Sequence, residues 1–303
     1  MASPRLPRFK RAPPKRGIAL THRDYEIVKI VHAHRFVTSR HLIALIGGSS
    51  QSLLRRLQRL YHHGYLERPR AQIDYYHCGG SRPIVYGLGD KGAKLLKKFS
   101  ESISHFRRSE KNRAVGRVFL DHALLVSDTM IRLELGCLTF GSSKLISSED
   151  LRLAFGKRQQ LFRWRVRINR NTTLGVVPDQ IFALELDEGG NVSRTHFFLE
   201  ADRGTMPVKR KNLSQTSLYR KLLAYQATWA KGLHKSLFGF HRFRVLIITK
   251  SADRVQSLID ACSGLKRGRG LFLFCDEAKL KECLNIFDAY WTTGTGASTK
   301  LLP

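Results

Sequence analysis

Apolar residues recur at helical spacing through the first third of the chain. Ile27, Val28, Ile30 and Val31 form one stripe, opened by Thr21 as an N-cap with Asp24 in the capping-box position, and it fades near Phe36-Val37. Thr38 caps a shorter segment through His41, Leu42, Leu45 and Ile46, which Gly47-Gly48 breaks. A third helix starts at Ser49 or Ser50, with Leu53, Leu54, Leu57, Leu60 and Tyr61 as its apolar stripe. Residues 71–78 and 83–88 then read as strands flanking Gly79-Gly80-Ser81-Arg82, and a capped helix opens at Gly89-Asp90.

Three short helices with a tight glycine turn before the third, followed by a two-stranded hairpin, predict a winged helix-turn-helix. The last helix of that motif enters the major groove N-terminus first. Its surface here carries Gln51, Ser52, Arg55, Arg56, Gln58, Arg59 and His62, with no acid. Ser52, Arg55, Arg56 and Arg59 are therefore the candidate DNA contacts, with Arg82 at the wing tip. The bland alternative is a solvated, arginine-rich face on a small helical bundle.

The pattern changes in the second part. A helix over residues 121–135 leads into strand-like runs at 144–146, 160–169, 176–186 and 195–201. A long helix over 217–237, a strand at 243–249, a helix at 252–262 and an apolar strand at 271–275 complete a mixed α/β layer architecture. Between two of the strands stands Glu188-Gly189-Gly190-Asn191, a two-residue hairpin signal. That loop sets a register in which Asp179 lies opposite Glu200, their Cβ atoms roughly 4.5–5.5 Å apart. Strand alternation adds Asp202 to the same face. Like charges facing each other destabilise a sheet unless a cation or a shared proton compensates. A divalent ion is one explanation; acids at a wet sheet end, or paired with Arg203 and Lys209, are the other.

Composition sharpens the choice of partner. The 303 residues carry 53 Lys+Arg against 24 Asp+Glu, a net charge of +29, which calls for a polyanion: nucleic acid, an anionic membrane surface or acidic protein. Residues 1–117 hold 25 Lys+Arg and 7 Asp+Glu, so +18 of the excess sits with the helix-turn-helix pattern. No window reaches the ~18 apolar residues of a membrane span, and a soluble, cytosolic protein is expected. Five scattered cysteines, without zinc-site spacing, fit a reducing compartment. The layout expected is a disordered basic arm (1–17), a winged-helix domain (18–105), a basic linker (106–117), an α/β domain (118–291) and a flexible tail (292–303).

The string Val177-Pro178-Asp179 followed by Phe198-Leu199-Glu200-Ala201-Asp202-Arg203-Gly204-Thr205 resembles the PD-(D/E)xK nuclease pattern, the restriction-endonuclease-like mixed sheet with flanking helices. In that family the two acids hold a metal ion and a lysine two residues after the second acid orients the attacking water. Asp202 stands in the lysine position, and Lys221, with Tyr225 one turn on, is the candidate to supply the missing ammonium from the following helix. Together with the winged helix and a family-like His122, the string resembles plasmid replication-relaxation proteins and MobC-type mobilisation relaxases. The resemblance implies sequence-specific binding to double-stranded DNA at a plasmid or conjugative-element origin, alongside replication or conjugation proteins. It also implies nicking by a metal-dependent endonuclease, with catalytic residues Asp179, Glu200, Asp202 and Lys221 and with Mg2+ or Mn2+ on Asp179, Glu200 and Asp202. The alternative is a catalytically inactive DNA-binding regulator or accessory replication factor. A homodimer on paired half-sites is usual for such motifs, although no heptad argues for one.

Overall fold

The computed structural model describes residues 6–12, 17–76, 82–99, 112–154 and 162–302. It is a mixed α/β structure with three sheets among the described residues, divided into compact units Met1–Ile131 and Arg132–Pro303. No helix among the described residues is long and apolar enough to cross a membrane.

In the first unit, α1 (His22–His34) opens on a capping box in which the Thr21 amide donates to Asp24 Oδ2 at 2.7 Å. Strand β1 (Phe36–Thr38) follows, and α2 (Ser39–Ile46) is capped by Thr38, whose Oγ1 accepts from the His41 amide. Gly47 takes φ +69°, a conformation glycine adopts without a Cβ penalty, and the chain turns into α3 (Ser50–His62), capped by Ser49. Strand β2 (Leu66–Glu67), strand β3 (Val85–Leu88) and helix α4 (Asp90–Phe99) complete the unit's core, the small sheet running β1-β3-β2 with antiparallel pairs.

The first arm of the expected hairpin is not a strand. Residues Arg70–Tyr76 form a 3-10 helix, because the buried Gln72 side chain occupies the place of a neighbouring backbone: its Nε2 donates to Val85 O and its Oε1 accepts from Val85 N, at 3.0 and 2.8 Å. The tip residues 77–81 lie outside the described residues. The third strand of the sheet is β1 instead.

The arm and the linker also depart from expectation. Arg11 donates to Tyr61 O, Leu66 O and Glu67 Oε2, and the Ala12 amide donates to His62 Nδ1, so residues 6–12 are held by the unit's own polar groups. Of the expected linker, residues 106–111 lie outside the described residues. Asn112 is buried and donates to Leu88 O, Arg113 pairs with Glu67, and helix α5 (Arg117–Phe140) has already begun at Arg117. Leu120 and Ala123 pack with Phe36 and Val85, which is why the division into units falls inside α5, after Ile131, rather than before it.

The second unit contains β4 (Ser143–Ile146), α6 (Ser148–Ala154), β5 (Trp164–Arg167), β6 (Thr173–Val176), β7 (Gln180–Glu188) and β8 (Asn191–Ala201). These lead to α7 (Leu218–Ala230), α8 (Leu233–Phe238), β9 (Phe243–Thr249), α9 (Ala252–Ser263), β10 (Phe272–Asp276), α10 (Glu277–Glu282), β11 (Trp291–Thr293) and β12 (Ser298–Thr299). The main sheet runs β12-β11-β10-β9-β8-β7-β4, with β8, β9 and β10 parallel. Strands β5 and β6 pair separately. The single run expected over 176–186 splits at Pro178, which has no N–H for a ladder, and the helix expected over 217–237 splits at Gly232, φ +66°. Tyr225, Trp164, Phe198, Phe240 and Phe272 share one core with these elements. Burying a side chain such as Phe198 contributes about 1.5–3 kcal/mol.

The expected flexible tail is ordered. Trp291 is fully buried, β11 pairs with β10, and Thr293 Oγ1 accepts from the amides of Thr295 and Ala297. At Gly294 a Cβ would stand 2.5 Å from Arg269 O, so the chain turns back where only glycine fits.

Candidate functional site

The hairpin β7–β8 has the register that its two-residue loop predicts, from Glu188 opposite Asn191 to Gln180 opposite Leu199. One step further, the Asp179 amide donates to Leu199 O at 3.1 Å and Asp179 Oδ2 accepts from the Ala201 amide at 2.8 Å. Asp179 is thereby fixed across the end of β8, beside Glu200. Glu200 is buried and faces Ile247 on the parallel strand β9, so the pair sits at the carboxyl ends of parallel strands, where open α/β sheets place ligand sites.

Helix α7 brings the cation. Ser217 Oγ accepts from the Arg220 amide as N-cap, which starts the helix so that Lys221 and Tyr225, one turn apart, face Glu200. The Lys221 ammonium donates to Glu200 Oε2, and the Tyr225 hydroxyl donates to Glu200 Oε1 at 2.6 Å. Burial pushes the Glu200 carboxyl up to about 7, Asp179 adding to the rise and Lys221 opposing it. Burial alone would lower the Lys221 ammonium, but the charges of Glu200 and Asp179 outweigh it and raise it. The Tyr225 hydroxyl is raised well above its ordinary value by burial and by Glu200.

Asp202 has a different job. Its amide donates to Ile248 O at 2.7 Å. Its Oδ2 accepts from Thr249 Oγ1 at 3.0 Å and Arg254 Nε at 2.7 Å, and its Oδ1 from the Gly204 amide and Arg254 Nη2. The carboxylate thus ties β8 to β9 and α9 and forms an ion pair with Arg254. Local sequence gives no signal for this pairing, because Arg254 lies 52 positions away.

The donor set bears on the expected metal. Among the described residues no group of three or more His, Cys, Asp or Glu is placed to hold an ion. Asp179 and Glu200 lie side by side, and the Lys221 ammonium already forms an ion pair with Glu200. With its side chain one-third exposed, Lys221 is also open to solvent. Magnesium takes one or two carboxylates and completes its shell with water and phosphate, a donor set that Asp179 and Glu200 would supply.

In the first unit Ser52, Arg55 and Arg59 lie exposed on α3. Arg56 does not join them. It forks onto the buried Asp24 through Nε, at 2.5 Å, and Nη2, and also donates to Ala19 O. Burial would raise the Asp24 carboxyl, but bonds from Arg56 and Thr21 hold it below the ordinary value. Leu54, expected in the apolar stripe, is 43% exposed, whereas His62, expected on the polar face, is buried beside Tyr61. Arg82 is exposed just ahead of β3, and His122 is half-buried on α5.

Comparison with curated proteins and with solved structures returns no match. The family model described as replication-relaxation matches residues 28–241, a span that includes α3, Asp179, Glu200 and Lys221. With well over half of its length matched, the chain belongs to the replication-relaxation family, which connects it with plasmid replication or mobilisation and with DNA and replication-related partners in general.

Proposed function

We propose that the chain binds double-stranded DNA at a plasmid or conjugative-element origin through a winged helix in its first unit. Its second unit is then a PD-(D/E)xK-like nuclease domain that nicks DNA by metal-dependent phosphodiester hydrolysis, as in replication-relaxation proteins or MobC-type relaxases. The convergence of Asp179, Glu200 and Lys221 at one strand end carries this reading. Asp179 and Glu200 would hold Mg2+ or Mn2+, which when bound activates water and neutralises charge on a phosphodiester. Asp179 is held by the Ala201 amide, Tyr225 fixes Glu200 through Oε1, and Lys221, once released from Glu200, would hold the attacking water. Asp202 positions the strand end through Arg254. On α3, Ser52, Arg55 and Arg59 face the DNA.

One observation favours a second reading, an origin-binding factor without nuclease activity: Lys221 and Tyr225 already satisfy both oxygens of Glu200. Supercoiled plasmid carrying the origin, incubated with the protein and Mg2+ or Mn2+, separates the two. The nuclease reading expects open-circular product from wild type and none from Asp179→Ala; origin binding with no nicking, or equal nicking by the variant, leaves the second reading.

A further inference from the structure

The small hairpin β5–β6 has one apolar and one basic face. Trp164 and Val166, with Leu174 and Val176 across from them, point into the core, and the buried Trp164 indole donates to Thr228 Oγ1 on α7 at 2.8 Å. Strand alternation turns Arg165 and Arg167 outward, and Arg163 and Arg170 are exposed at the ends. Residues 162–176 contain no acid. None of these four guanidinium groups makes an ion pair or a hydrogen bond with the described residues.

The facing strand leaves that surface bare. Arg165 stands opposite Gly175 and Arg167 opposite Thr173. A Cβ at Gly175 would meet nothing within 4 Å, and its backbone does not lie in the left-handed region, so neither packing nor conformation demands glycine there. A glycine inside a strand costs about 0.5–1 kcal/mol and often marks a place where another backbone comes close.

We infer that the outer face of β5–β6 is a second DNA-contact surface, on which Arg165 and Arg167 grip the phosphate backbone of duplex DNA drawn close over Gly175. Their i, i+2 spacing of about 6.8 Å along a strand lets the two guanidinium groups reach separate phosphates of one DNA strand. The inference rests on the DNA-binding reading above and adds a contact in the second unit. Charge selects the occupant: an all-arginine face suits phosphate, and the planar guanidinium takes it bidentately.

The test measures the affinity of the full chain for an origin-bearing duplex across salt concentrations. Wild type, Arg165→Gln with Arg167→Gln, Arg165→Lys with Arg167→Lys, Gly175→Val, and Arg55→Ala with Arg59→Ala are compared. Both arginines are exposed, so the glutamine variant should keep the wild-type circular dichroism and melting temperature. It should bind roughly tenfold or more weakly at ~0.1 M salt, with the slope of log K against log salt shallower by about 1.8, two phosphate contacts at ~0.9 each. The lysine variant should keep most of the slope, and Gly175→Val should weaken binding at unchanged fold. An unchanged slope in the glutamine variant, while Arg55→Ala with Arg59→Ala weakens binding, overturns the hairpin inference and leaves DNA binding standing. A wild-type chain that does not bind duplex, or binds anionic vesicles in its place, overturns both.

Discussion

Lys221, on helix α7, donates its ammonium proton to Glu200 Oε2 at the end of strand β8, so the most buried acid of the candidate site is neutralised from a separate element 21 positions away. The resemblance to the nuclease pattern asks for a lysine two residues after the second acid. Asp202 stands in that position and bonds Thr249 and Arg254, while the lysine that reaches Glu200 comes from the next helix.

Glu200 should make stability depend on pH. Its folded-state value of about 7 lies above the ordinary 4.5, so between those values the folded chain holds more protons than the unfolded one. Its contribution is then fully present below the unfolded value and is lost as pH rises through about 7. Urea unfolding at several pH values should show the wild-type advantage over Glu200→Gln shrinking from about pH 5 to pH 8 by about 1 kcal/mol or more. An advantage that is flat or grows with pH contradicts the assignment.

Arg254 and Asp202 should behave as a structural pair. Arg254→Ala leaves a buried carboxylate without its ion-pair partner and should destabilise the chain by about 3 kcal/mol. Asp202→Asn should likewise unfold more easily, yet retain Mn2+ affinity in a titration of the folded protein. Loss of Mn2+ binding at wild-type stability would return Asp202 to the ion.

Neighbouring arginines on α3 should separate stability from binding. Arg56→Ala strips the buried Asp24 of its partner and should cost about 2–4 kcal/mol in chemical denaturation. Arg55→Ala with Arg59→Ala should leave the melting temperature nearly unchanged while reducing the salt slope of DNA binding by about 1–2. The reverse pattern would mean that the helix faces the other way.

Gln72 should act as a surrogate strand. Gln72→Leu keeps the volume but leaves both Val85 backbone groups unbonded, at about 1–3 kcal/mol for each buried group left unsatisfied. Thermal unfolding checks it, and a neutral substitution would show that water replaces the amide.

What was legible in the sequence was local. The Gly189-Gly190 loop and the strict alternation around it carry the register that brings Asp179 to Glu200, and the spacing of Lys221 and Tyr225 puts both on one helical face. Long-range side-chain substitutions were not legible. Gln72 filling a ladder position, Arg254 reaching back to Asp202 and Arg56 reaching back to Asp24 leave no trace in periodicity. The polar tail misled for a related reason: small polar side chains do not report whether the backbone pairs, and β11 and β12 pair along the sheet edge behind the buried Trp291. Among the described residues of the basic arm, Arg11 is a partner of Glu67 as well as a positive charge, which composition does not report.

The proposed joint hold of Asp179 and Glu200 on a divalent ion is tested most directly by anomalous diffraction from crystals of the full chain soaked in Mn2+. One strong peak between the two carboxylates is expected, with the Lys221 ammonium withdrawn from Glu200 and the Asp202–Arg254 pair intact. A site with no peak and Lys221 still on Glu200, or a peak on Asp202 with Arg254 displaced, would contradict it.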